Sequence, residues 1–138
     1  IISSKKEGDL ATPKGTFELG IFYYRKDNNK PPKCKIKKKI IKKKMGWCND
    51  SRSKKYNKEI NFPFKYRAEK LCRKDKIYDL FINIKYNFSP VIKEKGSAIF
   101  LHITDGKYKP TKGCVAIAKK DFLKILPLIN NKTKISIG

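Results

Sequence analysis

The chain has 138 residues, with 35 lysine and arginine residues against 12 acidic ones and a formal net charge of +23. This length suits one domain with a real hydrophobic core, and we predict a single domain over residues 1–138. No apolar run approaches the roughly 20 residues of a membrane span. No secretory signal is visible, and the chain begins at Ile1 rather than Met, as a mature or trimmed product would.

The basic charge suggests a partner that carries negative charge. Arginine accounts for few of the basic residues, whereas the recognition of bases and phosphates favours its planar guanidinium. The arginines are Arg25, Arg52, Arg67 and Arg73. Many Ile and Asn residues accompany the lysines, which indicates compositional drift rather than a dedicated binding face. We therefore expect no specific nucleic-acid partner, but a salt-sensitive attraction to anionic polymers.

The N-terminal third is predicted to contain one strand and a lysine-rich edge. Residues 1–11 form an irregular charged segment, and residues 12–15 (TPKG) are typical of a turn. Residues 16–25 alternate as a strand, with Phe17, Leu19, Ile21 and Tyr23 on one face. After a loop at 27–32, eight lysines between residues 33 and 44 indicate a solvated edge strand or loop, or alternatively a contact with a polyanion.

The middle of the chain combines an aromatic segment with a second strand. The segment 45–57 contains the single tryptophan, and a tryptophan beside polar residues is more often a core anchor than a ligand platform. Residues 68–74 suggest a short helical turn. Residues 77–87 alternate as a half-buried strand, and one face carries Tyr78, Leu80, Ile82, Ile84 and Tyr86.

The C-terminal third is predicted as strand, loop, strand, helix and strand. Residues 97–104 read as a buried strand, in which Ala98, Phe100 and His102 share one face and Ile99, Leu101 and Ile103 the other. A short strand at 115–118 precedes an amphipathic helix at 119–130 that Pro127 bends, and a last strand covers 132–137. The fold is therefore mainly β, with six or so strands, one clear helix, and two sheets around one core.

The only histidine, His102, ends a buried strand, and Cys114 follows a polar loop that contains Gly106, Pro110 and Gly113. A loop of this length can return the cysteine to the histidine, where the imidazole would take the thiol proton and create the nucleophilic thiolate. Gly113 lets the backbone approach a substrate closely, and backbone N–H groups nearby would hold an oxyanion. A lone histidine beside a buried strand is, however, more often a packed core residue.

The other cysteines are Cys34, Cys48 and Cys72. A Cys48–Cys72 disulfide is one pairing that the count allows, but connectivity cannot be read from a sequence. We expect no metal or cofactor, because the chain has no CxxC spacing and a single histidine.

The sequence TKGCVAI, preceded by a strand that ends in histidine, resembles the active-site signature of the YkuD-type L,D-transpeptidase catalytic domain. Thr111, Gly113, Cys114 and Val115 fit that signature, and His102 fits as its base. Two departures are visible: Lys112 stands where many members carry a second histidine, and the spacer between histidine and cysteine is shorter than in the commoner branch. Three further stretches are similar to a short-spacer branch of the family, at residues 7–19, 45–57 and 70–87.

The resemblance implies a β-sandwich with one helix in the C-terminal region. It implies catalysis by Cys114 as nucleophile and His102 as general base and acid, with Gly113 at the oxyanion position. We expect a backbone carbonyl to orient the imidazole, because Asp105 is better explained as a turn former. The residues implied to contact substrate are Thr111, Lys112, Trp47, Asp50, Tyr56 and Asn57.

The implied reaction joins stem peptides of peptidoglycan. Cys114 would attack the carbonyl between an L-centre and a D-residue, release the terminal D-residue and form a thioester, which an amine of a neighbouring stem resolves into a cross-link. Water as acceptor would make the protein an L,D-carboxypeptidase, and a non-catalytic, basic polyanion-binding module is the other alternative. The implied location is the periplasm or cell wall, with anionic cell-wall polymers as further partners.

Overall fold

The computed structural model describes residues 1–27, 30, 32–104 and 110–138. Within these residues the chain forms nine strands, one α-helix and one 3₁₀ turn. The strands are β1 (Gly15–Tyr24), β2 (Lys38–Ile40), β3 (Met45–Cys48), β4 (Glu59–Asn61), β5 (Ala68–Lys70), β6 (Leu80–Ile84), β7 (Phe100–Thr104), β8 (Val115–Ala118) and β9 (Lys134–Ile137). Helix α1 spans Lys119–Ile125 and the 3₁₀ turn Leu126–Leu128, which contains Pro127.

Two sheets organise the domain. The larger sheet has the strand order β2-β1-β6-β7-β8, with β9 added along the first half of β1. Strands β1, β6 and β7 are antiparallel neighbours, whereas β7 and β8 run parallel. The smaller sheet, β4-β3-β5, is antiparallel. The prediction of a mainly β fold with two sheets and a single short helix is confirmed.

The larger sheet is covered on both faces, so the single core that we expected is divided in two. One cluster packs Phe22, Leu80 and Leu101 of the larger sheet against Phe122 of α1. The other cluster fills the space between the two sheets, with Tyr23, Trp47, Tyr78, Phe81 and Phe100 as its largest members. Because side chains alternate along a strand, neighbouring residues of one strand enter different clusters.

Strand β7 follows the predicted alternation, and strand β1 does not. Ile99, Leu101 and Ile103 enter the helix-side cluster, whereas Ala98 and Phe100 enter the cluster between the sheets. In β1 a bulge between Leu19 and Phe22 shifts the register. Phe17 and Leu19 therefore face the helix side and Ile21 and Tyr23 the other side, so the predicted single face of β1 is wrong.

An asparagine side chain of the neighbouring strand fills the bulge. The Ile21 N–H donates to Asn83 Oδ1 at 2.6 Å. A Cβ atom at Gly20 would lie 2.4 Å from the same oxygen, so only glycine fits here. The side chain of β6 thus satisfies a backbone group of β1 that the shifted register leaves without a ladder partner.

Two other local predictions are corrected. Every residue of β6 is buried, rather than half of them, because the helix-side cluster and the smaller sheet cover opposite faces of this strand. Residues 68–70 are strand β5 rather than a helical turn, since their backbone pairs with β3 from Gly46 to Cys48. Tertiary pairing overrides local propensity here.

The other predicted strands and the predicted helix are present, most of them with different ends, because the helix at 119–130 becomes α1 followed by the 3₁₀ turn and the strand at 97–104 pairs only from Phe100. The predicted turn at residues 12–15 is wrong, because Pro13 forms a parallel bridge with Ile2 and Gly15 already begins β1.

The lysine-rich segment contributes β2, an exposed edge strand parallel to β1. The predicted loop at 27–32 and the predicted polar loop between the strand at 97–104 and Cys114 include residues 28, 29, 31 and 105–109, among them Asp105 and Gly106, which lie outside the described residues. No described helix is both long and apolar enough to cross a membrane.

Candidate active site

The parallel pairing of β7 and β8 brings Cys114 towards His102. His102 lies opposite Ala116 and Leu101 opposite Val115, so Cys114 stands one residue before the first pair. With strands roughly 5 Å apart and a rise of about 3.3 Å per residue, the Cα atoms of Cys114 and His102 are about 8 Å apart. Cys114 packs against the cluster between the sheets, and the His102 ring contacts Tyr78 of that cluster. Both side chains therefore occupy the same face.

The Cys114 thiol is held by the backbone of the neighbouring strand. Its Sγ donates to the Ala98 carbonyl oxygen at 3.2 Å and accepts from the Phe100 N–H at 3.4 Å. Burial raises the pKa of the Cys114 thiol to about 12. The sulfur is therefore a protonated thiol at neutral pH, and any reaction through it requires removal of that proton.

His102 is oriented by the backbone. Its side chain is 5 % exposed, and Nδ1 lies 2.9 Å from the carbonyl oxygen of Ile103. A carbonyl oxygen only accepts hydrogen bonds, so Nδ1 carries the hydrogen and Nε2 keeps its lone pair. Burial holds the pKa of His102 below its usual value, so the imidazole is neutral at neutral pH. The orienting group is thus a backbone carbonyl, as we expected.

Sequence reasoning assigned no role to Tyr78, which the structure places between the histidine and the cysteine. Its ring meets the His102 ring edge-on, with 5.5 Å between centroids. Its hydroxyl donates to Glu69 Oε1, and its interaction with the Cys114 thiol lowers the thiol pKa against the effect of burial. Burial raises the pKa of Tyr78, and the neighbouring Cys114 and Glu69 side chains raise it further. The phenol therefore stays protonated.

Glu69 and Arg73 extend this arrangement towards the surface. Arg73 Nη1 lies 3.6 Å from Glu69 Oε1, and its guanidinium carbon lies 5.1 Å from the centre of the Tyr78 ring. Burial raises the pKa of Glu69, while Arg73 and Lys112 act in the opposite direction. The signal for this group was present in the sequence as a Glu and an Arg four residues apart, shortly before an Asp and a Tyr. Only the fold shows that this group lies near the cysteine, through the hydrogen bond from Tyr78 to Glu69 and the effect of Glu69 on the thiol pKa.

The turn before the nucleophile is fixed by Thr111 and Gly113. Thr111 Oγ1 donates to the Cys114 carbonyl oxygen at 2.5 Å. Gly113 has a φ of +124°, and a Cβ atom there would lie 2.9 Å from the Ala11 carbonyl oxygen and 3.2 Å from Ile99 Cδ1. A side chain at position 113 is therefore excluded by both conformation and space. Lys112, between them, is exposed.

The other predicted substrate contacts are buried, at 1–4 % exposure. They are Trp47, Asp50, Tyr56 and Asn57. The Asp50 carboxylate accepts hydrogen bonds from Arg52 Nη2 at 2.7 Å and from the Arg67 backbone N–H at 3.2 Å. These contacts lower the pKa of Asp50. The placement of these four side chains favours support of the site over direct contact with a bound peptide.

Asn57 and Tyr56 anchor the segment that leads into β7. Asn57 Oδ1 accepts from Trp47 Nε1 at 2.9 Å and from the Ala98 N–H at 3.0 Å. Tyr56 accepts from the Gly96 N–H at 3.0 Å, and its hydroxyl donates to Glu7 at 2.7 Å. The anchored Ala98 is the residue whose carbonyl accepts from the Cys114 thiol. These contacts therefore position the Cys114 thiol indirectly.

The four cysteines are free thiols, so the Cys48–Cys72 disulfide is not formed. Cys48 is fully buried and points its thiol at the Asp50 carbonyl, 3.7 Å away, rather than at a base. Among the residues that the structure describes, no group of three His, Cys, Asp or Glu side chains is placed to hold a metal ion.

An open groove of about 380 Å³ runs beside the nucleophile. Its lining comprises Cys114 and Val115, residues 135–138 around β9, and Ile1 and Thr12. Val115 and Ile135 pack against the helix-side cluster, whereas Cys114 packs against the cluster between the sheets.

The fold and the site together define a mainly β domain with a thiol and a neutral imidazole on neighbouring strands, a combination suited to acyl transfer through sulfur. The chain belongs to the YkuD family of L,D-transpeptidase catalytic domains, whose family model matches residues 1–137. The family resemblance is thereby confirmed over essentially the whole chain, and it supports activity of the L,D-transpeptidase type. Searches of curated proteins and of solved structures gave no match.

Proposed function

We propose that this domain is a peptidoglycan L,D-transpeptidase that works through a thioester on Cys114. The observation that carries the proposal is the common face of Cys114 and His102 on adjacent parallel strands, with the lone pair of His102 Nε2 available as a base. The donor is a stem peptide with a D-residue after an L-centre, and the acceptor is an amine of a neighbouring stem.

The first half-reaction, acylation, begins with a neutral Cys114 thiol and a neutral His102 imidazole. His102 Nε2 takes the thiol proton as Sγ bonds to the carbonyl carbon, and the carbonyl π electrons move to oxygen. Backbone N–H groups around Gly113 and Cys114 stabilise that oxyanion. The intermediate collapses, the bond to the D-residue breaks, and the proton on His102 passes to the departing amine. A thioester and a neutral imidazole remain.

In the second half, the acceptor amine attacks the thioester and gives a proton to His102. The C–S bond breaks, and that proton returns to Cys114, which restores the thiol and leaves a new amide cross-link. Water as the acceptor gives L,D-carboxypeptidase action on the same scaffold, so the products distinguish the two reactions. Thr111 and Lys112, just before Cys114 in the chain, are the candidate substrate contacts, and the periplasm or cell wall is the proposed location.

Acylation by a carbapenem, a mimic of the donor carbonyl, tests the nucleophile. Intact mass is measured for wild type, Cys114→Ala, His102→Ala and the control Cys72→Ala. We expect one adduct in wild type and Cys72→Ala, none in Cys114→Ala, and slow formation in His102→Ala. An adduct that persists in Cys114→Ala refutes the assignment. Incubation with a tetrapeptide stem and an acceptor amine then shows whether the product is a cross-link or a free tripeptide.

A second candidate function is polyanion binding without chemistry. The net charge of +23 and the exposed lysines of β2 favour it. It predicts tight binding to anionic polymers that weakens steeply with salt and survives Cys114→Ala, together with no turnover of stem peptides by the wild-type protein.

A further inference from the structure

A buried lysine from the N-terminal segment approaches the nucleophile. Lys5 is 5 % exposed, although lysine side chains are almost never fully buried without a partner. Its stem passes Gly96, where a Cβ atom would lie 2.8 Å from Lys5 Cε. Its ammonium ends 3.6 Å from the Cβ position of Gly113, the residue before Cys114. Gly96 therefore makes room for the lysine stem, and the ammonium ends beside Gly113 at the site.

The Lys5 ammonium pairs with the carboxylate of Asp9, which also accepts hydrogen bonds from backbone N–H groups. Lys5 Nζ donates to Asp9 Oδ1 at 2.7 Å. The same carboxylate accepts from the Ala11 N–H at 3.0 Å and from the Lys6 N–H at 2.8 Å. Asp9 is thus fixed by its own turn, and these donors lower its pKa to about 2, so it stays charged. The ion pair holds the lysine at the Gly113–Cys114 peptide.

We propose that Lys5 is an electrostatic residue of the acyl-transfer site, whose ammonium stabilises the negative charge that develops on Cys114 sulfur and on the substrate carbonyl oxygen. Lys5 transfers no proton in this role; His102 does. The stabilisation of the substrate oxyanion by Lys5 rests on the proposed function, which it deepens. The effect of Lys5 on the charge of the Cys114 sulfur does not depend on that function.

The charged surroundings of the thiol agree with this role. Burial dominates the pKa of the Cys114 thiol and raises it, Glu69 raises it further, and the Phe100 N–H and Lys5 lower it. The Tyr78 hydroxyl adds a further lowering effect. A purely structural ion pair would tie residues 5–11 to the domain but would leave thiol reactivity unchanged when its charge is removed.

The test measures the alkylation rate of Cys114 by iodoacetamide between pH 7 and 10, with peptide mapping to separate the four thiols. Lys5→Met removes the charge at similar length, Lys5→Arg keeps it, and Lys6→Met removes an exposed neighbouring charge as the control. We expect Lys5→Met to react about tenfold more slowly at each pH, which corresponds to a thiol pKa higher by about one unit. Lys5→Arg should restore most of the rate, and Lys6→Met should match wild type.

Asp9→Asn keeps the proposal testable if Lys5→Met does not fold. It leaves the ammonium in place and removes its counter-charge, so alkylation of Cys114 should become faster than in wild type. A folded Lys5→Met variant with the wild-type rate, or an Asp9→Asn variant that is no faster, overturns the proposal. Because alkylation needs no stem peptide, a slower Lys5→Met beside an inactive wild-type protein would refute the proposed function and leave the effect of Lys5 on sulfur standing.

Discussion

Asn57 gives the sharpest test of how the site is held together. Its side chain makes four hydrogen bonds: to Trp47 Nε1, to the Ala98 N–H, and to the carbonyl oxygens of Tyr86 and Asn87. Its φ of +56° suits asparagine or glycine. Asn57→Gly therefore removes all four bonds without backbone strain, and Asn57→Ala adds that strain.

The size of the loss follows from these contacts. At a net contribution of about 1 kcal/mol for each hydrogen bond, Asn57→Gly should lose about 4 kcal/mol of unfolding free energy. With about 2.1 cal/mol/K of unfolding entropy per residue, this corresponds to a Tm lower by about 14 °C for 138 residues. Asn57→Ala should be about 1 kcal/mol less stable again, because a left-handed alanine costs more than a left-handed glycine.

Thermal and urea unfolding, followed by the fluorescence of the single tryptophan, measures these differences. Asn131→Gly, in an exposed turn, is the matched control and should stay within about 0.5 kcal/mol of wild type. Carbapenem acylation of Asn57→Gly below its Tm should also be slower, because Ala98 loses the bond that fixes its N–H. A Tm for Asn57→Gly within a few degrees of wild type would show that Asn57 does not hold this segment.

Three further outcomes are expected. In the proposed mechanism acylation of Cys114 requires neutral His102, and burial lowers the pKa of that imidazole below 6.5. The acylation rate should therefore be constant around neutral pH and fall only as the pH drops through the lowered pKa. A rate that begins to fall above pH 6.5 would contradict this expectation. Gly113→Ala should lose about 2 kcal/mol or more of unfolding free energy, measured by urea unfolding, because its Cβ would meet the Ala11 carbonyl at 2.9 Å. It should also lose acylation, measured by intact mass, and wild-type values in both assays would refute the packing argument. Protein denatured without reductant should take up four iodoacetamide groups, and an uptake of two would indicate a disulfide.

The parts of the fold that the sequence predicted are those controlled by local periodicity. Strand β7 is regular, so the faces of Ile99 to Ile103 follow from alternation alone. Strand β1 looks equally regular, but its bulge depends on Asn83, a residue more than sixty positions away. The burial of β6 on both faces depends in the same way on the smaller sheet, which short, weakly patterned segments build.

Within the candidate site, too, the sequence predicted the residues with a local signature and missed those that the fold brings together. Cys114 and His102 were identifiable because their residue types are rare and their signature is local. Tyr78 and Glu69 lie nine residues apart in one segment and Lys5 in another, and neither segment is adjacent in sequence to Cys114. Only the assembled sheets show that these side chains converge on the thiol, where their charges act over short distances at low dielectric.

The protonated state of Cys114 has a consequence for how the protein meets its chemical surroundings. With a thiol pKa of about 12, about one molecule in 10⁵ carries a thiolate at pH 7. Peroxides and disulfides react with thiolates, so they should leave this sulfur largely untouched. In the proposed mechanism the thiol is therefore unreactive until a substrate carbonyl is in place and His102 takes its proton. Inhibitors that follow this route should outperform reagents that depend on a thiolate already present.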